Sequence, residues 1–167
     1  MYAAFIFLGV FNGYSQGSSP IVGYHYGAQN YKEVKNVLKR SLTILASAAI
    51  VLTAIAIGAA GVLSSVFVGY DAELLSMTTR AFRICAVPFL VMWFNMYTSC
   101  FFTALNDGAV SAAISFMRSL VLPLFCVIVM PRFWHLDGVW FSLVGSEVLG
   151  VFVSLYFLLS KRKKYQY

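Results

Sequence analysis

The sequence predicts an all-α integral membrane protein with five transmembrane helices. Of its 167 residues, 60% are hydrophobic and 11% are charged, whereas a soluble domain carries about 25% charged residues. The mean hydropathy of the chain is +0.80. The apolar runs have the roughly 20 residues that a helix needs to cross the hydrocarbon core. They lack the alternating pattern of a transmembrane β-strand.

Five apolar runs are predicted as spans, and no soluble linker interrupts them, so we expect a single membrane domain. The spans cover about residues 3–24, 42–68, 84–105, 109–130 and 139–160. In the first span, Asn12 and Gln16 share a helix face because they are four residues apart, and Pro20 interrupts the backbone ladder. A GxxxG spacing, which lets another helix approach closely in lipid, occurs twice, at Gly9, Gly13 and Gly17. Transporters often contain such a mixture, whereas a simple anchor does not need it.

Two clusters of basic residues predict the orientation. The loop of residues 25–41 and the tail of residues 161–167 each carry four lysine or arginine side chains. Four spans separate the two clusters, so both are expected on one side, which the positive-inside rule makes the cytoplasm. We expect a multi-pass protein of the plasma or inner membrane with a cytoplasmic C-terminus. The net charge of +6 then reflects topology rather than binding to nucleic acid.

This orientation has a consequence for the N-terminus. Five spans that end in the cytoplasm place Met1 outside, yet the first basic residue is Lys32, so no basic region of a signal peptide precedes the first span. We therefore expect the chain to be the C-terminal piece of a longer protein, or an internally started or truncated product.

Two ionisable residues lie inside apolar runs. Glu147 is about eight residues, or ~12 Å, into the fifth span, and acids at such depth usually belong to a functional path, where Glu147 could carry a proton. Arg118 of the fourth span lies at nearly the same depth and continues a stripe with Ser111 and Ser115. Three interpretations are open: an ion pair that only orients helices, an Arg118 that snorkels to the headgroups, or a direct role in ion coupling or substrate binding.

Polar side chains in the third span allow a similar choice. Asn95 and Ser99 are four residues apart, and such residues either hydrogen-bond between helices or form the polar wall of a cavity. Asn12 and Gln16 carry the same two interpretations. Pro88 in the third span and the proline at position 123 in the fourth are expected to mark kinks.

Other chemistries find no support in the sequence. It contains no dinucleotide-binding or phosphate-binding glycine motif, no HExxH motif and no nucleophile elbow, so we do not expect an enzyme. No metal site is expected either, because the cysteines lie in apolar runs without metal-ligand spacing and suit small buried hydrophobes. They are Cys85, Cys100 and Cys126.

Three stretches resemble a known family. They are GYSQGSSPIVGYHYGAQNYKEVK at 13–35, FFTALNDGAVSAAISFMRSL at 101–120 and MPRFWHLDGVW at 130–140. In order, they are similar to the eighth helix with its following loop, the junction of helices ten and eleven, and the turn before helix twelve of multidrug and toxic compound extrusion (MATE) transporters. The resemblance is closest to the MepA-like bacterial branch, and it makes the chain the last five of twelve helices, a partial C-terminal lobe.

The resemblance implies an antiporter that expels small amphipathic, often cationic compounds in exchange for H⁺ or Na⁺, with no other cofactor. Its partners would be the membrane lipid and the N-terminal lobe of the same transporter. Glu147 stands where the branch usually has an aspartate, and Arg118 matches an arginine of the branch. Two alternatives are a flippase for lipid-linked saccharides, from the same superfamily, and a non-transporting membrane module that assembles through its small-residue faces.

Overall fold

A computed structural model describes residues 2–69 and 71–167, and this part of the chain is helical with short connections and no strand. Met1, whose placement outside was expected, and Tyr70 lie outside the described residues. A π-helical segment, Met117–Val121, joins α5 to α6. The helices are α1 (Tyr2–Gly27), α2 (Tyr31–Val68), α3 (Ala72–Ala86), α4 (Phe89–Ala104), α5 (Gly108–Phe116), α6 (Leu122–Val129) and α7 (Pro131–Tyr165).

Four helical stretches in the described ranges are long and apolar enough to cross a membrane, which confirms the predicted all-α membrane class. They are Tyr31–Val66, Ala72–Ala104, Gly108–His135 and Asp137–Tyr165. α1 has 26 residues and is also long enough, but Asn12, Gln16 and the serines of its second half lower its hydropathy. Its crossing of the membrane, the first of the five predicted spans, stays a prediction.

The predicted loops are largely helical, which corrects the boundaries drawn from hydropathy. Between residues 25 and 41 only residues 28–30 lie outside helices, and Asn30 Oδ1 starts α2 by accepting a hydrogen bond from the backbone N–H of Glu33 at 3.3 Å. Asp71 Oδ1 caps α3 in the same way, at 2.9 Å from the N–H of Glu73. Capping side chains begin these helices before the apolar runs, and hydropathy alone does not detect them.

Helix breaks occur beside Pro88 and Pro123, which were expected to mark kinks, whereas Pro20 lies inside α1 without ending it. Pro88 stands between α3 and α4, and Pro123 lies in the first turn of α6, directly after the π-helical segment. Proline has no N–H and its ring crowds the preceding turn, which explains why the wider π turn precedes Pro123. A third break, at His135 in α7, has a φ of 47° and lies in the gap that was predicted between the fourth and fifth spans.

α4 is the central helix of the bundle, since it packs against α1, α2, α5 and α7. Seven of its sixteen residues are buried, and its largest buried side chains are the aromatic rings of Tyr97, Phe101 and Phe102. The polar side chains of Asn95 and Thr98 on this helix are therefore held inside the protein rather than against lipid.

The C-terminal residues close one end of the bundle, in an arrangement that we term the C-terminal clamp (Tyr165, Tyr167 and Asp107). The Tyr165 hydroxyl donates a hydrogen bond to the carboxylate of Asp107, at the start of α5. The Tyr165 ring lies 5.8 Å from that of Tyr26, near the end of α1, and the Tyr167 ring lies 5.1 Å from that of Phe101. These contacts place the end of α7 beside the end of α1, which residues 28–30 connect directly to the beginning of α2. The two basic clusters therefore lie at the same end of the bundle.

The clamp predicts a pH-dependent stability. The hydrogen bond from Tyr165 is the largest cause that holds the pKa of Asp107 below its ordinary value of 3.8. A lowered pKa stabilises the fold fully above the ordinary value, and this stabilisation is lost as the pH falls through the lowered one. Tyr165→Phe should lower the melting temperature of the detergent-solubilised chain at neutral pH by roughly 3–6 °C, and should weaken the further decrease on acidification below about pH 4.

Tyr156→Phe is the matched control, because this tyrosine is 66% exposed and its hydroxyl takes no part in the clamp. Melting curves followed by circular dichroism across the acid range measure both variants. Identical curves for Tyr165→Phe and wild type would contradict a stabilising role of the hydrogen bond between Tyr165 and Asp107.

Candidate functional site

Asn95 links α4 to α7 at the centre of the bundle. Its side chain is fully buried, and its Nδ2 donates to the carboxylate Oε2 of Glu147 at 2.9 Å and to the backbone carbonyl of the same residue at 3.0 Å. Its Oδ1 accepts a hydrogen bond from the hydroxyl of Ser154 at 2.9 Å. Every polar group of the buried amide is therefore used, as burial in a medium without water requires.

The close approach of the two helices depends on Gly150. A Cβ atom at this position would lie 2.7 Å from Asn95 Nδ2, which is closer than such atoms pack. Gly150 and Ser154 are four residues apart and therefore share the face of α7 that meets α4. The small residues of α7 thus make room for the amide.

Glu147 and Arg118 form an ion pair between α7 and the π-helical segment. The Nη2 atom of Arg118 lies 3.0 Å from Oε1 of Glu147, and its Nε donates to both carboxylate oxygens, at 3.1 and 3.2 Å. The side chains are only 20% and 15% exposed. The two side chains are therefore paired, as their similar depth in the sequence suggested, and the guanidinium is held by a carboxylate inside the bundle.

A polar cavity of about 350 Å³ lies beside this pair, between α1, α4, α5 and the π-helical segment. Four of the six predicted site residues line it, while Glu147 lies behind Arg118 and Asn95. Gln16 does not line the cavity although it shares a face with Asn12, because the cavity extends toward Leu8, one turn in the other direction. The lining residues are Leu8, Asn12, Asn95, Met96, Ser99, Cys100, Thr103, Ser111, Ser115 and Arg118.

Hydroxyl groups form the wall between α4 and α5. The hydroxyl of Ser99 lies 3.0 Å from that of Ser111 and 2.7 Å from that of Ser115. Thr103 extends the row, with its hydroxyl 2.6 Å from that of Ser111. Ser111 and Ser115 were predicted to share a helix face with Arg118. Their contacts with α4 were not predicted, because helical spacing shows which residues share a face but not which helix that face contacts.

A second cavity, of about 310 Å³, lies between α3 and α7 at the end opposite the clamp. Arg80 and Asp137 line it and form an ion pair with a distance of 2.6 Å between Nη2 and Oδ2. Neither residue was predicted to belong to a site. The sequence did contain a signal for this ion pair, because Arg80 and Asp137 have opposite charges and their segments were predicted on the same side of the membrane.

The chemistry of the main site is that of an ionisable carboxylate at membrane depth beside a polar cavity. Glu147 is reached from the cavity through Arg118, so the positions of the carboxylate and of the guanidinium depend on each other. Within the described ranges, no group of three or more His, Cys, Asp or Glu side chains could hold a metal ion.

The contact between α4 and α7 predicts an effect of Gly150→Ala. The added methyl group must displace the amide of Asn95, and leaving such a buried group without its partners costs about 1–3 kcal/mol. The melting temperature of the chain in detergent should therefore decrease. Gly58→Ala is the control, because no atom lies within 4 Å of a Cβ at that position, and it should leave the melting temperature unchanged or higher. Equal melting temperatures for Gly150→Ala and wild type would contradict the tight contact.

Comparisons with known proteins bear on the family. A search of the curated proteins and a search of the solved structures find no match. A family model described as MatE matches residues 1–128, which include α1 to α5, the π-helical segment and nearly all of α6. The match covers well over half of the 167 residues and contains Asn95 and Arg118, whereas Glu147 follows it. The chain belongs to the MatE family of membrane transporters.

Proposed function

We propose that this chain is part of a multidrug and cation efflux antiporter, which exports small amphipathic compounds in exchange for H⁺ or Na⁺. The observation that carries the proposal is the Arg118–Glu147 ion pair, largely buried at the edge of a polar cavity. Ionisable residues inside membrane spans are costly and usually mark a substrate or ion path. Family membership supports transport, and the cavity supports a small-molecule substrate.

In this proposal Glu147 is the coupling residue. As a carboxylate it holds Arg118 and accepts a hydrogen bond from Asn95. Protonation removes its charge, which weakens its hold on the guanidinium and frees α7 to move against the π-helical segment. A π turn inside a helix often accompanies function, and interrupted helices surround the sites of many transporters. With Na⁺ as the coupling ion, the carboxylate would be neutralised by the metal ion instead.

The chain would act as part of a C-terminal lobe of the MepA-like branch, with an N-terminal lobe of the same transporter as its partner and membrane lipid around both. The GxxxG face of α1 suits such a partner, because open space surrounds a Cβ built at Gly9, Gly13 or Gly17. A lipid-linked saccharide flippase is less well supported, since Arg118 is the only cation among the described residues that line the cavity. An assembly module without transport would leave the intramembrane charges without a role.

Export of ethidium by cells that produce the complete transporter tests the role of Glu147. Glu147→Gln should reduce export at least about tenfold, in the range of one lost essential proton or charge interaction, at unchanged protein level, because glutamine cannot ionise. Glu73→Gln is the matched control, since this acid of α3 is exposed and should be dispensable. Export at the wild-type rate by Glu147→Gln would remove Glu147 from the mechanism.

The orientation is testable by cysteine labelling of intact cells. In a background without the three native cysteines, Lys35→Cys and Lys163→Cys should both resist a membrane-impermeant maleimide until the cells are opened, because we propose a cytoplasmic location for the basic end. Arg132→Cys, at the opposite end of α7, should react from outside. Labelling of Lys35→Cys and Lys163→Cys on different sides would contradict the proposed topology.

A further inference from the structure

The guanidinium of Arg118 has a second edge that the ion pair does not use. Its Nε and Nη2 atoms contact Glu147, while Nη1 has no hydrogen-bond partner in the part of the chain that the structure describes. Arginine carries five N–H donors in a planar fork, and one guanidinium can bind an oxygen-bearing group on each of two edges. Since Arg118 lines the cavity, unused donors remain available to a molecule that enters it.

The rest of the lining supplies further donors and an apolar wall. Asn12 is exposed in α1 and offers an amide, and Ser115 offers a hydroxyl. Leu8 and Met96 provide apolar surface on the same cavity. Among the described residues that line the cavity there is no carboxylate, and Arg118 carries the one formal charge. An anionic group in this cavity would therefore meet Arg118.

We infer that the cavity contains a subsite for the carboxylate, or a similar oxyanion, of an amphipathic substrate. The unused edge of Arg118, with Asn12 and Ser115, binds the oxygens of this group, and Leu8 and Met96 contact the apolar part. The substrate class is amphiphiles that bear a carboxylate, including zwitterions whose cationic group lies outside this cavity. The subsite belongs to the proposed transport function and rests on it.

Glu147 makes the subsite selective for a carboxylate, because without it the subsite would carry a net positive charge and attract any anion. It neutralises Arg118 from the inner side, so the site has no net charge and does not attract every anion. Recognition then depends on hydrogen-bond geometry with the planar fork, which favours a carboxylate over a spherical anion such as chloride. The chain should therefore distinguish a carboxylate from its ester on an otherwise identical molecule.

Rhodamine B and its ethyl ester form a matched pair of probes, because both are amphipathic and carry the same cationic ring system, and only the former has a free carboxylate. Binding to the purified chain in detergent is measured by fluorescence anisotropy. Wild type should bind the acid about tenfold more tightly than the ester, a ratio in the range of a charge-assisted hydrogen bond. The double variant Arg118→Gln/Glu147→Gln, which removes both charges and leaves neither without its counterion, should bind the two probes equally.

Two further variants keep the test decisive. Arg132→Gln removes an exposed arginine away from the cavity and should retain the wild-type ratio. The double variant Asn12→Ala/Ser115→Ala leaves the ion pair intact and should lower the ratio about threefold, for the loss of two neutral hydrogen bonds. It replaces the charge-removed variant if that protein does not fold.

Equal affinities for acid and ester in wild type would overturn the subsite, as would a ratio that none of the cavity variants changes. These outcomes are distinguishable from a failure of the proposed function. Normal ethidium export that depends on Glu147, together with equal probe affinities, would overturn the carboxylate subsite alone. Loss of all export dependence on Glu147 would instead remove the transport mechanism.

Discussion

The burial of two opposite charges, Arg118 and Glu147, is the constraint on which the rest of the structure depends. Each charge would cost several kcal/mol if it were buried alone, and the attraction between them offsets this only when the remaining polar atoms are also satisfied. Asn95 meets that condition for one carboxylate oxygen, and Ser154 then satisfies the carbonyl of the amide. The burial of one charge therefore requires a hydrogen-bond network that joins α4, α7 and the π-helical segment.

The same network explains features that look unrelated. Gly150 is needed because α4 and α7 must approach closely enough for the amide to reach the backbone carbonyl of Glu147. The π-helical segment carries Arg118, and its wider turn changes the direction in which side chains leave the helix. A polar cavity adjoins the pair, so Arg118 contacts a space that a molecule can occupy as well as the carboxylate in the protein interior. A site that both holds and exposes a charge in this way suits a cycle between two states.

Part of the fold and of the candidate site was predictable from the sequence. The apolar runs indicated membrane helices, and the equal depth of Arg118 and Glu147 indicated their proximity, because helical rise per residue is constant. Other features could not be predicted, and the reasons are physical. Hydropathy does not reveal a cap such as Asp71, so helix ends were misplaced, and helical spacing placed Gln16 beside Asn12 without revealing how far a cavity extends. The pairing of Asn95 with α7 depends on a contact between distant segments, which no local pattern contains.

The two ends of the bundle are held with unequal strength. At one end the Arg80–Asp137 pair ties α3 to α7, but its side chains are 67% and 40% exposed, and exposed pairs contribute only about 0–1 kcal/mol. At the other end the clamp combines a charged hydrogen bond with two buried tyrosine rings, whose burial contributes far more per residue. The ion pair lies between these ends, and the tie between α7 and α3 is weaker than the tie between α7 and the clamp. Separation of α7 from α3 is therefore less costly than separation of its C-terminal end from the clamp.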